Sequence, residues 1–292
     1  MSEVEVAVSV PSLCWALLRS DGTIRLSEVA DVGASLGLSE QAVRHGVRRL
    51  CEREGFVREG RGANAVARVG AGGASLWELD RELVRFAYHQ DAGLEPWDGR
   101  WRLISFSIPE VRRSDRDQLR AWLLSLGAAA ISQGTYVSAH DWWEVVHPVV
   151  EELNVATHVS WGELDRLVVA GLSDPRAVAA HLWPGELLDD AYSAAHTRIN
   201  GVERAWSGLD DARRLSAWVS ATVSITAPFE ADPLLPNELA PPPGRTTRAA
   251  YLALTERFLL DVPDADSYSV ALEMSLQNSL PTSAIGSVSP SH

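Results

Sequence analysis

Lysine is missing altogether: all 26 basic residues of the 292-residue chain are arginine. That excludes Schiff-base chemistry on a lysine, and any phosphate-binding loop that ends on a Gly-Lys pair. Cysteine is scarce, with only Cys14 and Cys51. Both sit in amphipathic stretches and read as small buried thiols, not as a bridge or a metal site. No apolar run approaches the roughly 20 residues of a membrane span, and residues 1–20 lack a basic start followed by an apolar stretch. A cytoplasmic protein with no membrane contact is therefore expected. His140 and His147, with Asp141 and Glu144 between them, lack the i, i+4 histidine pairing that would place two ligands on one helix face. No catalytic constellation, metal or cofactor is expected.

What is present belongs to an ordinary globular chain, 46% apolar and 22% charged. Its length points to two or three domains. The net charge of −13 excludes a protein that coats nucleic acid indiscriminately. The charge is unevenly distributed. Residues 1–90 carry 11 arginines against 12 carboxylates, and residues 91–292 carry 15 against 27. Within residues 39–68 the balance is reversed, with 7 arginines to 4 glutamates, so a nucleic-acid surface is expected there.

That stretch has an organised pattern. Ser27 is a natural cap for a helix carrying Val29, Ala30 and Val32 to Leu36. Gly37-Leu38-Ser39 makes a tight turn, and Ser39 caps a second helix through Glu54. On that helix Ala42, Val43, Val47 and Leu50 form one apolar stripe. Gln41, Arg44, His45, Arg48 and Arg49 form the opposite face, with side chains that read base edges in a major groove, and Ser39 at the helix start is counted with them as a DNA contact. Phe56-Val57-Arg58 and Val66 to Val69 then alternate as two strands around Arg61-Gly62-Ala63-Asn64, forming a hairpin. Arg58, Arg61 and Arg68 on it, with Asn64 at its tip, suit phosphate oxygens. The spacing predicts a winged helix-turn-helix; a helical hairpin with a solvated basic face is the alternative. Gly60 to Ala65 also fits a dinucleotide-binding fingerprint. That motif needs a strand before it and a helix after it, and here the order is reversed.

The middle of the chain reads as strand, helix, two short strands, helix and strand. The segments are Trp101–Glu110, Ser114–Leu126, Ala130–Gln133, Thr135–Ser138, Trp142–Leu153 and Val155–Trp161, with Arg166–Leu172 as a further strand. Ser114 and Asp141 serve as caps. This βαββαβ order is that of a ferredoxin-like domain. Further on, Asp174-Pro175 opens a helix. Longer helices follow over about 186–201, 210–226 and 246–260, with a proline-rich loop over 228–244.

Several of these segments together resemble the PaaX-type transcriptional repressors. They are the strand ending in Pro109-Glu110, the arginine-rich helix ending in Leu126-Gly127, and Gln133-Gly134-Thr135-Tyr136-Val137-Ser138. The stretch from Asp232 through Leu239 to Gly244-Arg245 adds to them. The resemblance covers roughly residues 10–260. It implies a dimer on a palindromic operator in an aromatic-catabolism operon, released by an aryl-acyl-CoA such as phenylacetyl-CoA. The family's central domain is similar in turn to a CRISPR-associated endonuclease with a metal-holding aspartate near the end of its first strand. Here that place reads Ser105-Phe106-Ser107-Ile108-Pro109, with no carboxylate, so the resemblance implies dimerisation and spacing and no nuclease. Pro241-Pro242-Pro243 departs from the aromatic residue that relatives often carry, and an effector other than phenylacetyl-CoA would follow if that loop borders its pocket.

The expected architecture is α+β. A winged helix-turn-helix DNA-binding domain spans 1–90 and a ferredoxin-like dimerisation domain 97–172. A mainly helical C-terminal domain, open to an effector-linked role, spans 173–275, and a disordered tail spans 276–292. Double-stranded operator DNA, a second copy of the chain and a small aromatic effector are the expected partners. Arg100, Arg102, Arg112, Arg113 and Arg116 gather positive charge that could face the phosphates of a CoA thioester. Arg100, Trp101, Arg102, Arg113 and Trp183 are the candidate effector contacts, with an ordinary salt-bridged surface and a tryptophan core as the alternative. The rival readings are an enzyme of CoA-thioester or nucleic-acid metabolism carrying a winged-helix targeting module, and an interaction protein that does not bind DNA.

Overall fold

The computed structural model describes residues 8–53 and 55–278. Glu54 and residues 279–292 of the expected tail lie outside the described residues, while residues 276–278, expected to be disordered, close a helix. The chain is α+β, with two antiparallel sheets and a majority of helix. No helix among the described residues is long and apolar enough to cross a membrane.

The chain packs as two compact units, each discontinuous in sequence. One holds residues up to Tyr88 together with Ala191–Ala227 and the chain from Arg245 on. The other holds His89–Asp190 and Pro228–Gly244. This differs from the sequence expectation of consecutive domains bounded at 97–172 and 173–275. Helices remote in sequence bury their apolar faces beside the N-terminal segment, and such long-range packing has no local signature.

In the first unit the elements are α1 (Val10–Ala16), β1 (Thr23–Arg25), α2 (Leu26–Ser35), α3 (Glu40–Arg53), β2 (Phe56–Glu59) and β3 (Val66–Val69). The sheet order is β1-β3-β2, all antiparallel. Ser9 caps α1 by accepting from the Ser12 N–H at 3.1 Å, with Pro11 in the first turn. Ser27 is not the cap of α2. The chain passes from β1 straight into the helix, and the Leu26 N–H donates to the Ala65 carbonyl instead, leaving Ser27 exposed inside the first turn. Gly37, at φ +82°, makes the turn, and Ser39 caps α3 by accepting from Ala42. Leu13, Cys14, Leu17, Val29, Val32, Val43, Val47 and Leu50 form the core, and Trp15 meets Phe56 edge-on at 5.1 Å.

The unit continues with most of α4 (Ala71–Asp91), α8 (Glu186–Ala205) and α9 (Asp211–Ala231), and with all of α10 (Arg245–Asp261) and α11 (Ser269–Asn278). Here α9 runs past Pro228, where the sequence reading began a loop. The proline removes one intrahelical N–H donor, and the helix runs on for only three residues past it. Trp218 stacks on Phe258 with centroids 4.3 Å apart, and its indole N–H donates to Thr255.

The second unit contains β4 (Trp101–Phe106), α5 (Arg113–Ser125), β5 (Ala129–Ser132), β6 (Thr135–Ser138), α6 (Trp143–Glu152), β7 (Val159–Leu164) and α7 (Pro175–Leu182). Its sheet order is β5-β6-β4-β7, wholly antiparallel. The expected strand over 166–172 is absent: Val169 and Leu172 form a single bridge around Ala170 (φ 51°) and Gly171 (φ 80°). Ser114 does not cap α5, which starts one residue earlier with Arg112 as its half-helical neighbour. Asp141 accepts from the Trp143 N–H at 3.3 Å, while Trp142 occupies the cap position of α6. Arg112 closes that helix's other end, donating to the carbonyls of Leu153 and Asn154.

The segment Pro228–Gly244 covers one side of this sheet with α7, burying Leu235 and Leu239 against Trp101, Val137 and Val178. Asp232 accepts from the Leu234 N–H, Leu234 takes φ 51°, and its carbonyl accepts from Gln90 and from His140 Nε2 at 2.7 Å. A carbonyl only accepts, so that nitrogen carries the proton. Burial lowers the His140 pKa to about 4. Below an ordinary histidine pKa of about 6.5 the unfolded chain takes up a proton that folded His140 refuses until about pH 4. The stability that His140 confers is therefore complete above pH 6.5 and is lost as pH falls through about 4, amounting to about 3 kcal/mol. Denaturant unfolding at pH 7 and 4.5 should show this loss in wild type and a flatter profile in His140→Gln. Equal slopes would show that His140 is not the linked group.

Candidate nucleic-acid interface

Helix α3 divides cleanly. Val43, Gly46, Val47 and Leu50 are buried, while Ser39, Gln41, Arg44, His45, Arg48 and Arg49 are exposed. All six belong to the expected DNA-reading set, and the helix places them together. Gly46 is the residue that sequence reasoning missed. A Cβ there would lie 2.2 Å from Val10 Cβ, so only glycine lets α1 approach α3 this closely. The available signal was a glycine falling on the apolar stripe between Val43 and Leu50.

The arginines of this face are not equally available. Arg44 pairs with Glu40 at 2.8 Å, and Arg48 lies between His45 Nδ1 at 3.2 Å and Glu52 at 3.8 Å. These are exposed one-turn pairs, worth a few tenths of a kcal/mol and easily exchanged for phosphate or a base edge. They hold the guanidinium groups in the helix face without withdrawing them.

The hairpin is corrected by its register. Val57 faces Arg68 and Arg58 faces Ala67, so Arg58 and Arg68 project from opposite faces of the ribbon. Arg58, Arg61 and Asn64 are exposed, with Arg61 and Asn64 at the tip. Arg68 is engaged, donating to Glu59 at 3.2 Å and to the Asp21 carbonyl at 3.3 Å. The Thr23 hydroxyl and N–H hold the Asp21 carboxyl below the usual carboxylate range, helped by Arg68 and Arg19. Arg68 thus braces the turn before β1, whereas Arg58 and Arg61 are exposed.

The candidate effector residues do not converge on one opening. Trp101 is buried, Trp183 half-buried, and their rings lie nearly parallel with centroids 6.2 Å apart. The Trp183 indole donates to the Gly127 carbonyl, and both rings belong to the sheet's packing against α7. Arg102 is buried and held by both Asp98 oxygens, at 2.8 and 2.6 Å, and this bond keeps the Asp98 carboxyl below its usual range. Arg100 pairs with Glu163 at 2.6 Å, Arg113 with Glu110 and Asp117, Arg112 with Asp115, and Arg116 with Glu110. The cationic cluster read from the sequence is thus matched carboxylate by carboxylate.

Residues 94–178, under a third of the chain and all within the second unit, match the family model described as the PaaX protein central Cas2-like domain. No curated protein matches the chain. A solved structure, that of the uncharacterized protein Rv0674 from Mycobacterium tuberculosis, aligns at 20% identity and TM-score 0.47, over 92% of this chain and 97% of that one. Residues 94–178 thus carry a PaaX-type central domain.

Proposed function

We propose that this protein is a dimeric, ligand-responsive transcriptional repressor, with residues 8–70 acting as a winged helix-turn-helix on a near-palindromic operator. The observation that carries this reading is the division of α3. One face is buried against α1 and α2, and the other presents polar and charged side chains, Gln41, Arg44, His45, Arg48 and Arg49 with Glu40 and Glu52 at its two ends. Such a helix lies in a major groove with Gln41, Arg44, His45 and Arg48 toward base edges, while Arg58 and Arg61 reach the backbone. The acidic remainder of the chain repels DNA and confines contact to this surface. The proposed control of an aromatic-catabolism operon, with an aryl-acyl-CoA or related aromatic metabolite as effector, is what the resemblance to PaaX-type repressors implies. The ring pair Trp101 and Trp183, with Arg100, Arg102 and Arg113 nearby in sequence, remains the proposed effector region.

Fluorescence anisotropy on DNA upstream of the protein's own gene, at two salt concentrations and with or without phenylacetyl-CoA, tests the reading. Tight, selective binding that weakens with salt and with ligand is expected. Arg48→Ala should cost about 1–3 kcal/mol, concentrated at one operator position. Absence of selective binding to any fragment would overturn the DNA-binding assignment.

A further inference from the structure

The C-terminal part of the first unit reaches back to the N-terminal elements through one buried junction. Tyr268, in the connection between α10 and α11, forms an antiparallel bridge with Arg19, in the connection between α1 and β1. The backbone pairing is reciprocal: the Ser20 N–H donates to the Ser267 carbonyl at 2.8 Å, and the Ser269 N–H to the Leu18 carbonyl at 2.7 Å. Side chains close the junction. Arg19 donates to both Glu28 oxygens, at 2.9 and 3.2 Å, and to Ser267 Oγ at 2.6 Å, with its guanidinium 4.8 Å from the Tyr268 ring centre. The Tyr268 hydroxyl donates to the same Glu28 carboxylate at 2.7 Å. Burial, and then this carboxylate, push the phenol's pKa upward, so it stays a donor throughout the physiological range.

Two paths leave this junction. Glu28 lies in the first turn of α2, and α2 packs on α3 through Gly33 and Val43. Arg19 leads into the turn whose Asp21 and Gly22 carbonyls accept from Arg68 and from the Val69 N–H of β3. The helix that carries the reading face and the hairpin that carries Arg58 and Arg61 are thus anchored at the same three side chains. On its other side Tyr268 packs against the Trp218–Phe258 stack, 5.9 Å from each ring.

We propose that the Arg19–Glu28–Tyr268 junction is a positioning device that fixes the reading helix and the hairpin relative to each other. Through it the C-terminal helices α9 to α11 set DNA affinity from behind. The inference rests on the DNA-binding reading above. It assigns those helices a regulatory role: a ligand or partner that draws Tyr268 off Glu28 weakens both DNA contacts together. A carboxylate that accepts from both an arginine and a phenol is well suited to this, because charge-assisted bonds of this kind are the strong and directional ones.

The test uses the full chain as wild type, Tyr268→Phe, Glu28→Gln and the double variant. Phenylalanine keeps the ring packing and removes only the hydroxyl. Tyr268→Phe should weaken binding to the selected operator fragment by about tenfold, the loss of one bond to a charged group. Binding to an unrelated fragment should stay unchanged, because the exposed arginines are untouched. The double variant should lose little more than the singles. A fall in both affinities in proportion, tracking a lower melting temperature, would show a purely structural contact and overturn the proposal. Hydrogen exchange separates failure of this inference from failure of the DNA reading. Even in a protein that selects no DNA, the Leu26 and Val69 amides should exchange faster in Tyr268→Phe. Unchanged exchange at both would overturn the coupling.

Discussion

Gly46→Val is expected to destabilise the first unit by about 3 kcal/mol or more and to abolish DNA binding with it. Two opposing effects decide the sign. Alanine gains up to about 1 kcal/mol of helix propensity over glycine at an interior position, and valine less. Against this, the new Cβ would sit 2.2 Å from Val10 Cβ and 2.4 Å from its Cγ1, distances that force α1 away from α3. Overpacking therefore wins, and even Gly46→Ala should lose stability. The rescue is specific. Val10→Ala leaves the offending Cβ in place and should not help, whereas Val10→Gly removes it. In urea unfolding Gly46→Ala combined with Val10→Gly should lose clearly less than the sum of the two single losses, with a coupling of about 1–3 kcal/mol. A Gly46→Ala protein as stable as wild type would show that α1 does not approach α3 in this way.

The same helix shows what could be read beforehand. Val43, Val47 and Leu50 recur at helical spacing, Ser39 is a capping residue, and Gly37 admits the left-handed turn. Those are local rules, and α3 obeys them. The three-residue strand β1 was invisible because its stability comes from pairing with β3, over forty residues later, and not from its own length. Ser27 misled for a related reason: the pairing of β1 with β3 carries the chain into α2 already at Leu26, so Ser27 falls inside the first turn. Tyr268 and Glu28, 240 residues apart, meet only in the folded chain.

Among the central arginines the division is sharper still. Asp98 with Arg102, and Arg113 with Asp117, stand four residues apart, so those pairings were available to a reader of spacing. Glu163, the partner of Arg100, is on β7 and comes to it only because β7 pairs with β4. Counting arginines in a window therefore overstated the positive field. The motif Asp232 to Leu239 was recognisable as a sequence but not as a device. Its purpose here is to turn at Leu234, offer one carbonyl to Gln90 and His140, and seal the sheet with Leu235 and Leu239.

Replacing Arg58 and Arg61 together with glutamine should lower the salt dependence of DNA binding by about two counterions, while the order of preference among DNA sequences survives. The reasoning turns on which hairpin arginines are occupied. Neither Arg58 nor Arg61 has an acidic hydrogen-bond partner among the described residues, and both are exposed. Each is therefore available to a phosphate, with a slope of about −0.9 in log affinity against log salt per contact. Arg68 points from the other face of the ribbon and is tied to Glu59 and Asp21. Arg68→Gln should leave the slope nearly unchanged and instead loosen the turn behind β3, visible as lower thermal stability. Titrations at four salt concentrations, on the selected fragment and on an unrelated one, measure both quantities. If Arg68→Gln flattened the slope as much as the Arg58 and Arg61 pair does, the hairpin would meet DNA through its opposite face. The reading helix would then have to approach the duplex from a different side.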